Sequence, residues 1–374
     1  IVNSYSKKEK ISFNRNWYIY RMDQSSFNSK LCIKYMALRE NHEYSVSNKE
    51  IQDLNEQAQK YAEKLSRVFD ESHKVIIGQQ DALRKILISI ISDGHILLES
   101  VPGLAKTLMV KTMAQIFNVE HVRIQFTPDL LPADILGTKI FKNTTGSFVT
   151  QKGPIFHNFV LADEINRAPP KVQSALLEAM QERTVSIHGE TYELKKPFIV
   201  LATQNPIENE GTYKLPEAQV DRFALKILIN YPSKLEEIEI IEKNSSNNSN
   251  VVKTIISPSE IIEIQKFNEK IYADKVITEY IADIVNATRN PKDYDLDLDS
   301  MIEFGASPRA SIWLMRTAKA NALLNGRGFI IPEDVKSVAH EVLRHRIILT
   351  FEAEANGINS DKIIDFVLEK ISPP

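Results

Sequence analysis

The chain has a single cysteine, Cys32, among its 374 residues. One thiol rules out an internal disulfide and any metal-holding cysteine cluster, and it fits a reducing cytoplasm. Long apolar runs are missing too. Ile86–Ile91 and His95–Leu98 sit among polar residues, far short of the roughly 18 residues that a membrane span needs. Nor is there an excess of either charge: 46 Lys and Arg stand against 49 Asp and Glu, a formal net of −3. Any nucleic-acid contact would therefore need a local basic patch, because the overall field gives no help. What remains is an ordinary globular composition, 43% hydrophobic and 25% charged, in a chain long enough for two or three domains.

The first 35 residues mix aromatics, Lys, Asn and Ser without a sustained period, and they begin with Ile. Met36 is expected as an alternative start, with a genuine extension as the competing reading; residues 1–47 are set apart as a poorly defined N-terminal extension. From Asn48, the apolar residues Ile51, Leu54, Ala58, Tyr61, Ala62, Leu65 and Phe69 recur at helical spacing. They predict an amphipathic helix to Phe69, with a second from Gln79 to Ile91. Short apolar runs then alternate with helical patterns. The predicted strands are His95–Leu98, His121–Phe126, Asn158–Ala162, Phe198–Thr203 and Ala224–Asn230, with helices beginning near Lys106, Lys171 and Glu217. This rhythm predicts an α/β fold over 48–231, a mostly parallel five-stranded sheet flanked by helices. Lys243–Asn250 reads as a solvated loop or helix break. Beyond Ser257-Pro258 the pattern is helical nearly to the end, predicting a smaller all-α domain over 232–374.

Between the first predicted strand and the helix after it lies Ser100-Val-Pro-Gly-Leu-Ala-Lys106-Thr107. A phosphate-binding loop needs backbone N–H groups turned to the anion, a helix N-terminus, a lysine for charge and a hydroxyl for magnesium. The segment offers these, although Ser100 and Ala105 replace the two glycines of G-x-x-x-x-G-K-[ST]. Gly103 can supply a left-handed turn, and Ala105 can donate its N–H if its φ is negative. The alternative is a strand-to-helix turn whose Lys-Thr is incidental. The predicted strand at 158–162 ends in Asp163-Glu164, a pair suited to placing Asp163 beside a magnesium ion on Thr107 and Glu164 against attacking water. A further strand leads to Asn205, an amide able to hold that water from the other side. Arg222, just before the last strand, suits reaching into a neighbouring subunit, and Arg309, opening a later helix, suits touching phosphate within its own chain. For each, the competing reading is a surface ion pair.

Several stretches together carry a family resemblance: Val75-Ile-Ile-Gly-Gln79, Val101-Pro-Gly-Leu-Ala-Lys-Thr107, Phe126-Thr-Pro-Asp-Leu-Leu-Pro-Ala-Asp-Ile-Leu-Gly137, Gly153-Pro-Ile-Phe156, the run from Ala162-Asp-Glu-Ile-Asn-Arg167 to Glu182, Ala202-Thr-Gln-Asn-Pro206 and Gly305-Ala-Ser-Pro-Arg309. In these the chain resembles the MoxR family of AAA+ ATPases, with Ala105 in the family's version of the loop and Ser100 where glycine is expected. The resemblance implies a P-loop AAA+ core with a helical lid. It implies that Val101, Pro102, Gly103, Leu104, Ala105, Lys106, Thr107 and Leu108 hold ATP, with Thr107 and Asp163 on Mg2+. Glu164 would be the Walker B base, Asn205 sensor 1, Arg222 a finger donated in trans and Arg309 sensor 2. It also implies a ring, usually a hexamer, a protein client and a von Willebrand A-domain partner. An inserted loop at Phe126–Gly137 and a β-hairpin at Arg183–Leu194 belong to the same expectation.

Other patterns are set aside. His340 and His345 are five residues apart and diverge around a helix, unlike a zinc pair. Asp293, Asp295, Asp297 and Asp299 lack the glycine and glutamate of a calcium loop. Arg167 fits a subunit interface or a local salt bridge. Two rival functions stay open, a nucleic-acid motor and a slow nucleotide-gated scaffold. The predicted hairpin tip Ser186-Ile-His-Gly-Glu190 carries no Lys or Arg, which weighs against the first; Glu164 weighs against the second.

Overall fold

The structure, a computed structural model, describes residues 48–144, 146–206, 211–245 and 251–374. The expectations for the N-terminal extension and Met36 lie outside them.

Two helices lead in, α1 (Asn48–His73) and α2 (Gln80–Ile91). The five expected strands follow as β1 (Ile96–Glu99), β2 (His121–Gln125), β5 (Phe159–Asp163), β8 (Ile199–Gln204) and β9 (Leu225–Leu228). They form one parallel sheet in the order β2-β5-β8-β1-β9. The inner strands β5 and β8 are near-continuous apolar runs because both of their faces are covered. Alternation sorts the side chains: Ile96, Leu98, Phe159, Leu161, Ile199 and Leu201 enter one core, while Leu97, Val160, Ala162, Val200 and Ala202 enter the other.

The first core is shared with the second half of the chain, through Leu314, Val335, Val342 and Ile363. The second core lies under α4 (Pro132–Leu136) and α5 (Pro170–Glu182). Helix α3 (Lys106–Ile116) joins β1 to β2. Two hairpins project from the sheet domain. One pairs β3 (Gly137–Lys142) with β4 (Ser147–Lys152), and the other pairs β6 (Thr184–Ile187) with β7 (Glu190–Glu193) across His188-Gly189. The second is the hairpin expected at 183–194. The first was not foreseen, and the expected inserted loop contains α4.

The second half holds α7 (Lys234–Ser245), α8 (Pro258–Lys270), α9 (Lys275–Ala287), α10 (Pro308–Leu324), α11 (Pro332–Leu343), α12 (Phe351–Ala355) and α13 (Ser360–Lys370). Their starts are encoded locally. Ser257 and Glu260 form a capping box with Pro258 in the first turn of α8, and Ser307 caps α10 ahead of Pro308,. A small antiparallel pair, β10 (Ile302–Phe304) with β11 (Ile348–Leu349), interrupts the expected helical run. The helix expected near Glu217, α6, is four residues long, Glu217–Val220.

Candidate nucleotide site

Strand register sets the site. Glu99 opposes Gln204, Ala162 opposes Ala202 and Gln125 opposes Asp163. The parallel strands β1, β5 and β8 therefore end level, and the segments beginning at Ser100, Glu164 and Asn205 leave the same edge of the sheet. Ligands of open α/β sheets bind at this carboxyl edge.

Ser100 continues β1 inward: it is buried, its N–H donates to the Gln204 carbonyl at 3.2 Å and its hydroxyl donates to the Val101 carbonyl at 3.1 Å. Gly103 takes φ 87°, and a Cβ there would meet nothing within 4 Å, so the loop bulges into open space. Ala105 does not meet the condition set for it from the sequence. Its φ is +54° rather than negative, the conformation that the missing glycine would take, at about 1–2 kcal/mol for a residue with a Cβ. The turn into α3 requires that backbone direction, and the N-terminus of α3 has no side-chain cap. Its first N–H groups are left for an anion, favoured also by the helix dipole. Lys106 is half-buried and Thr107 exposed.

The acid pair is the opposite case. Asp163 Oδ1 accepts from the Thr203 hydroxyl at 2.6 Å, and Oδ2 from Arg123 Nε and Nη2 at 2.9 and 2.6 Å. Glu164 sits at φ 56° and donates its N–H to Thr203 Oγ1 at 2.8 Å. Its Oε2 accepts from Gln125 Nε2 at 2.9 Å and Arg167 Nη1 at 3.0 Å. Arg167 thus makes the local salt bridge. Arg123, Gln125 and Thr203 were not singled out from the sequence. The available signal was the i, i+2 pair on β2, which points to one side of the strand beside β5. Asn205 is buried at the end of β8.

The two arginines lie apart from these groups in hydrogen bonding. Arg222 follows α6, and its Nε is enclosed without a partner. Arg309, in the first turn of α10, lies 3.4 Å from Asp221. Beside the phosphate loop is a cavity of about 660 Å³ lined by Ile76, Ile77, Gly103, Ala105, Leu108 and Pro232, among others, within the size range of small-molecule pockets. Ile76 and Ile77 belong to the Val75–Gln79 stretch, which carried the resemblance without being assigned to the site.

A parallel sheet with a phosphate-loop turn, an acid pair at the neighbouring strand end and a helical second half defines an AAA+ type P-loop ATPase. The family model for the ATPase family associated with various cellular activities (AAA) matches residues 95–225, and that for the AAA lid domain matches 296–366. Chaperone MoxR1 of Mycobacterium tuberculosis is 46% identical over 311 residues, covering 83% of this chain and 82% of that protein. Protein MoxR of Paracoccus denitrificans is 31% identical, covering 74% and 86%. The crystal structure of a protein from Cytophaga hutchinsonii assigned as an ATPase superposes with a TM-score of 0.82 at 49% identity, covering 87% and 99%. The chain belongs to the MoxR family of AAA+ ATPases. No helix among the described residues is long and apolar enough to cross a membrane.

Proposed function

We propose that the chain binds ATP with Mg2+ and hydrolyses it to ADP and phosphate, using this chemistry to remodel a protein client. The observation that carries the reading is the level ending of β1, β5 and β8, which gathers the loop, the acid pair and Asn205 at one edge. Val101–Leu108 wraps the phosphates: the uncapped N–H groups at the start of α3 receive the anion and Lys106 neutralises charge. The adenine enters the cavity bounded by Ile76, Ile77 and Pro232.

The Thr107 hydroxyl and the Asp163 carboxylate are hard oxygen donors that suit magnesium, which keeps several waters and takes few protein ligands. When bound, the ion neutralises charge on the β- and γ-phosphates. Glu164 takes a proton from the attacking water once its carboxylate turns from Gln125 and Arg167, and Asn205 orients that water. Arg222 meets the γ-phosphate of a neighbouring subunit and Arg309 that of its own chain, which requires a ring, a hexamer in our reading.

We assign 48–231 to the nucleotide-binding domain and 232–374 to the lid. A von Willebrand A-domain partner and a cytoplasmic location complete the proposal; the chaperone name of the Mycobacterium relative supports its protein client. At the β6–β7 tip the residues are His188 and Gly189, and the nearby Glu190 is paired with Lys139; this favours a protein client over nucleic acid. The test is Glu164→Gln. Direct binding should show unchanged affinity for ATP, while steady-state turnover falls about 100-fold or more. Equal turnover in the two proteins would remove Glu164 from this role.

A further inference from the structure

Arg346 lies about 240 residues beyond the phosphate loop in sequence, yet it is among the most completely bonded side chains of the described residues. Its side chain is 1% exposed. Nε donates to Asp221 Oδ1 at 2.8 Å, Nη2 to the carbonyls of Asp221 at 2.9 Å and Phe223 at 2.6 Å, and Nη1 to the carbonyls of Ala224 at 3.2 Å and Val342. These are five bonds for five guanidinium N–H donors. Its neighbours grip the same strand entry. His345 Nε2 meets the Phe223 carbonyl at 3.1 Å and Arg344 Nη1 donates to the Lys226 carbonyl at 2.9 Å. Three consecutive residues after α11 thus clasp the backbone from Asp221 to Lys226, the segment that carries Arg222. Lysine, with three donors on one atom, could not replace that fork.

The Asp221 carboxylate faces the other way as well. It accepts from the Ser307 hydroxyl, 2.9 Å from both carboxylate oxygens, and from Arg309 Nη1 at 3.4 Å. Ser307 Oγ in turn accepts from the Arg309 N–H at 3.2 Å. The two cations on Asp221 differ in kind. Arg346 is buried, close and fully bonded, so it stays. Arg309 is long-range and 44% exposed, and such a contact is weak enough to be exchanged for a phosphate.

We propose that Asp221, anchored by Arg346, is a positioning residue that couples the two arginines: it parks Arg309 by an exchangeable contact while the same anchored turn fixes Arg222. ATP must then compete with Asp221 for Arg309, and loosening the turn must misplace Arg222. The inference rests on the ATPase reading above and adds the regulation of that site.

The test compares wild type, Asp221→Asn, Arg309→Ala and the double variant, reading ATP affinity by direct binding and kcat by turnover in assembled protein. Asp221→Asn keeps the shape and the bond to Ser307. It should tighten ATP binding by about three- to tenfold, because Arg309 is freed, yet lower kcat about tenfold. General damage would loosen both. In the double variant the tightening should vanish, since no Arg309 remains to be freed. A thermal melt guards against misfolding. Should Asp221→Asn melt early, Ser307→Ala serves instead: it takes one donor from Asp221 and leaves more of the carboxylate to Arg309, so a modest weakening of ATP binding that disappears in the Arg309→Ala background is expected. Wild-type turnover with unchanged or weaker binding in folded Asp221→Asn, tightening that survives in the double variant, or, where Ser307→Ala serves, binding no weaker than wild type would overturn the coupling alone. A wild type that binds no ATP would sink the ATPase reading and this inference with it.

Discussion

The phosphate loop and the acid pair leave the same edge of the same sheet, yet they are built on opposite terms. The loop is open. Gly103 has nothing around it, Thr107 is exposed, and α3 begins without a cap. At the acid pair three of the four carboxylate oxygens already hold partners, with Thr203 and Arg123 on Asp163 and Gln125 and Arg167 on Glu164. Unpaired donors make a binding element, for which the ligand completes the bonding. Paired acids make an element that must exchange partners before it acts. On the proposed function, affinity resides in the loop and timing in the pair.

Lys106→Ala should break the comparison on the binding side with the largest effect. Loss of a charge-assisted contact to phosphate is worth about 3 kcal/mol, or about 100-fold in affinity. Since Lys106 is only half-buried and makes no ion pair among the described residues, the melting temperature should stay near that of wild type. Calorimetric binding together with a thermal melt checks both. A large drop in melting temperature would show that the loop is part of the core rather than an open receptor.

Thr203→Val probes the other side. The buried hydroxyl donates to Asp163 and accepts the Glu164 N–H, so valine leaves a buried N–H unpaired, at about 2 kcal/mol. Urea unfolding should show this loss and turnover should fall, with ATP affinity nearly preserved. Weakened affinity without lost stability would erase the distinction between the two elements.

How much of this was legible in the sequence follows from the same physics. The strands β5 and β8 were readable because strands covered on both faces become uninterrupted apolar runs, and Asp163-Glu164 stood out as charges ending one. Arg123 and Gln125 were not, because on an edge strand such as β2 polar residues look like ordinary solvent-facing positions; only the register with β5 gives them meaning. The β3–β4 hairpin escaped notice for a similar reason. Phe141 and Phe148 are 53% and 69% exposed, so its alternation encodes no buried face. The positive φ of Ala105 was hidden by its side chain, since alanine signals helix. Arg346 and Asp221 are joined over a separation of 125 residues, beyond any local pattern.

Acidification should weaken the fold that carries both elements rather than either one alone. His95 is buried, with Nδ1 accepting from the Val200 N–H at 3.0 Å and Nε2 facing the Met180 carbonyl at 3.1 Å, so it ties the start of β8 to α5 at the sheet edge opposite the acid pair. Burial, with Arg183 adding to it, holds its pKa well below the ordinary histidine value. The unfolded chain therefore takes up a proton that the folded one refuses. Stability is flat above pH about 7 and falls below about 6.5, by up to about 1.4 kcal/mol per pH unit for each such histidine. His345, buried and shifted in the same direction, contributes a second share. Urea midpoints measured from pH 8 to 5 should show the slope, and His95→Gln should remove about half of it. A slope unchanged in that variant would place the titrating group elsewhere.

The smallest effect concerns the loop residue whose φ is positive without being glycine. Ala105 holds a left-handed backbone, and glycine there would relieve about 1–2 kcal/mol of strain. Glycine also frees the unfolded chain by about 0.5–1 kcal/mol, so the two nearly cancel. Ala105→Gly should change stability by less than about 1 kcal/mol and raise ATP affinity by less than about fivefold. The argument depends on the loop already having its binding shape with alanine in place. A tenfold gain in affinity would mean that the alanine holds the loop away from that shape, and a tenfold loss would mean that its methyl group, not only its N–H, contacts the nucleotide.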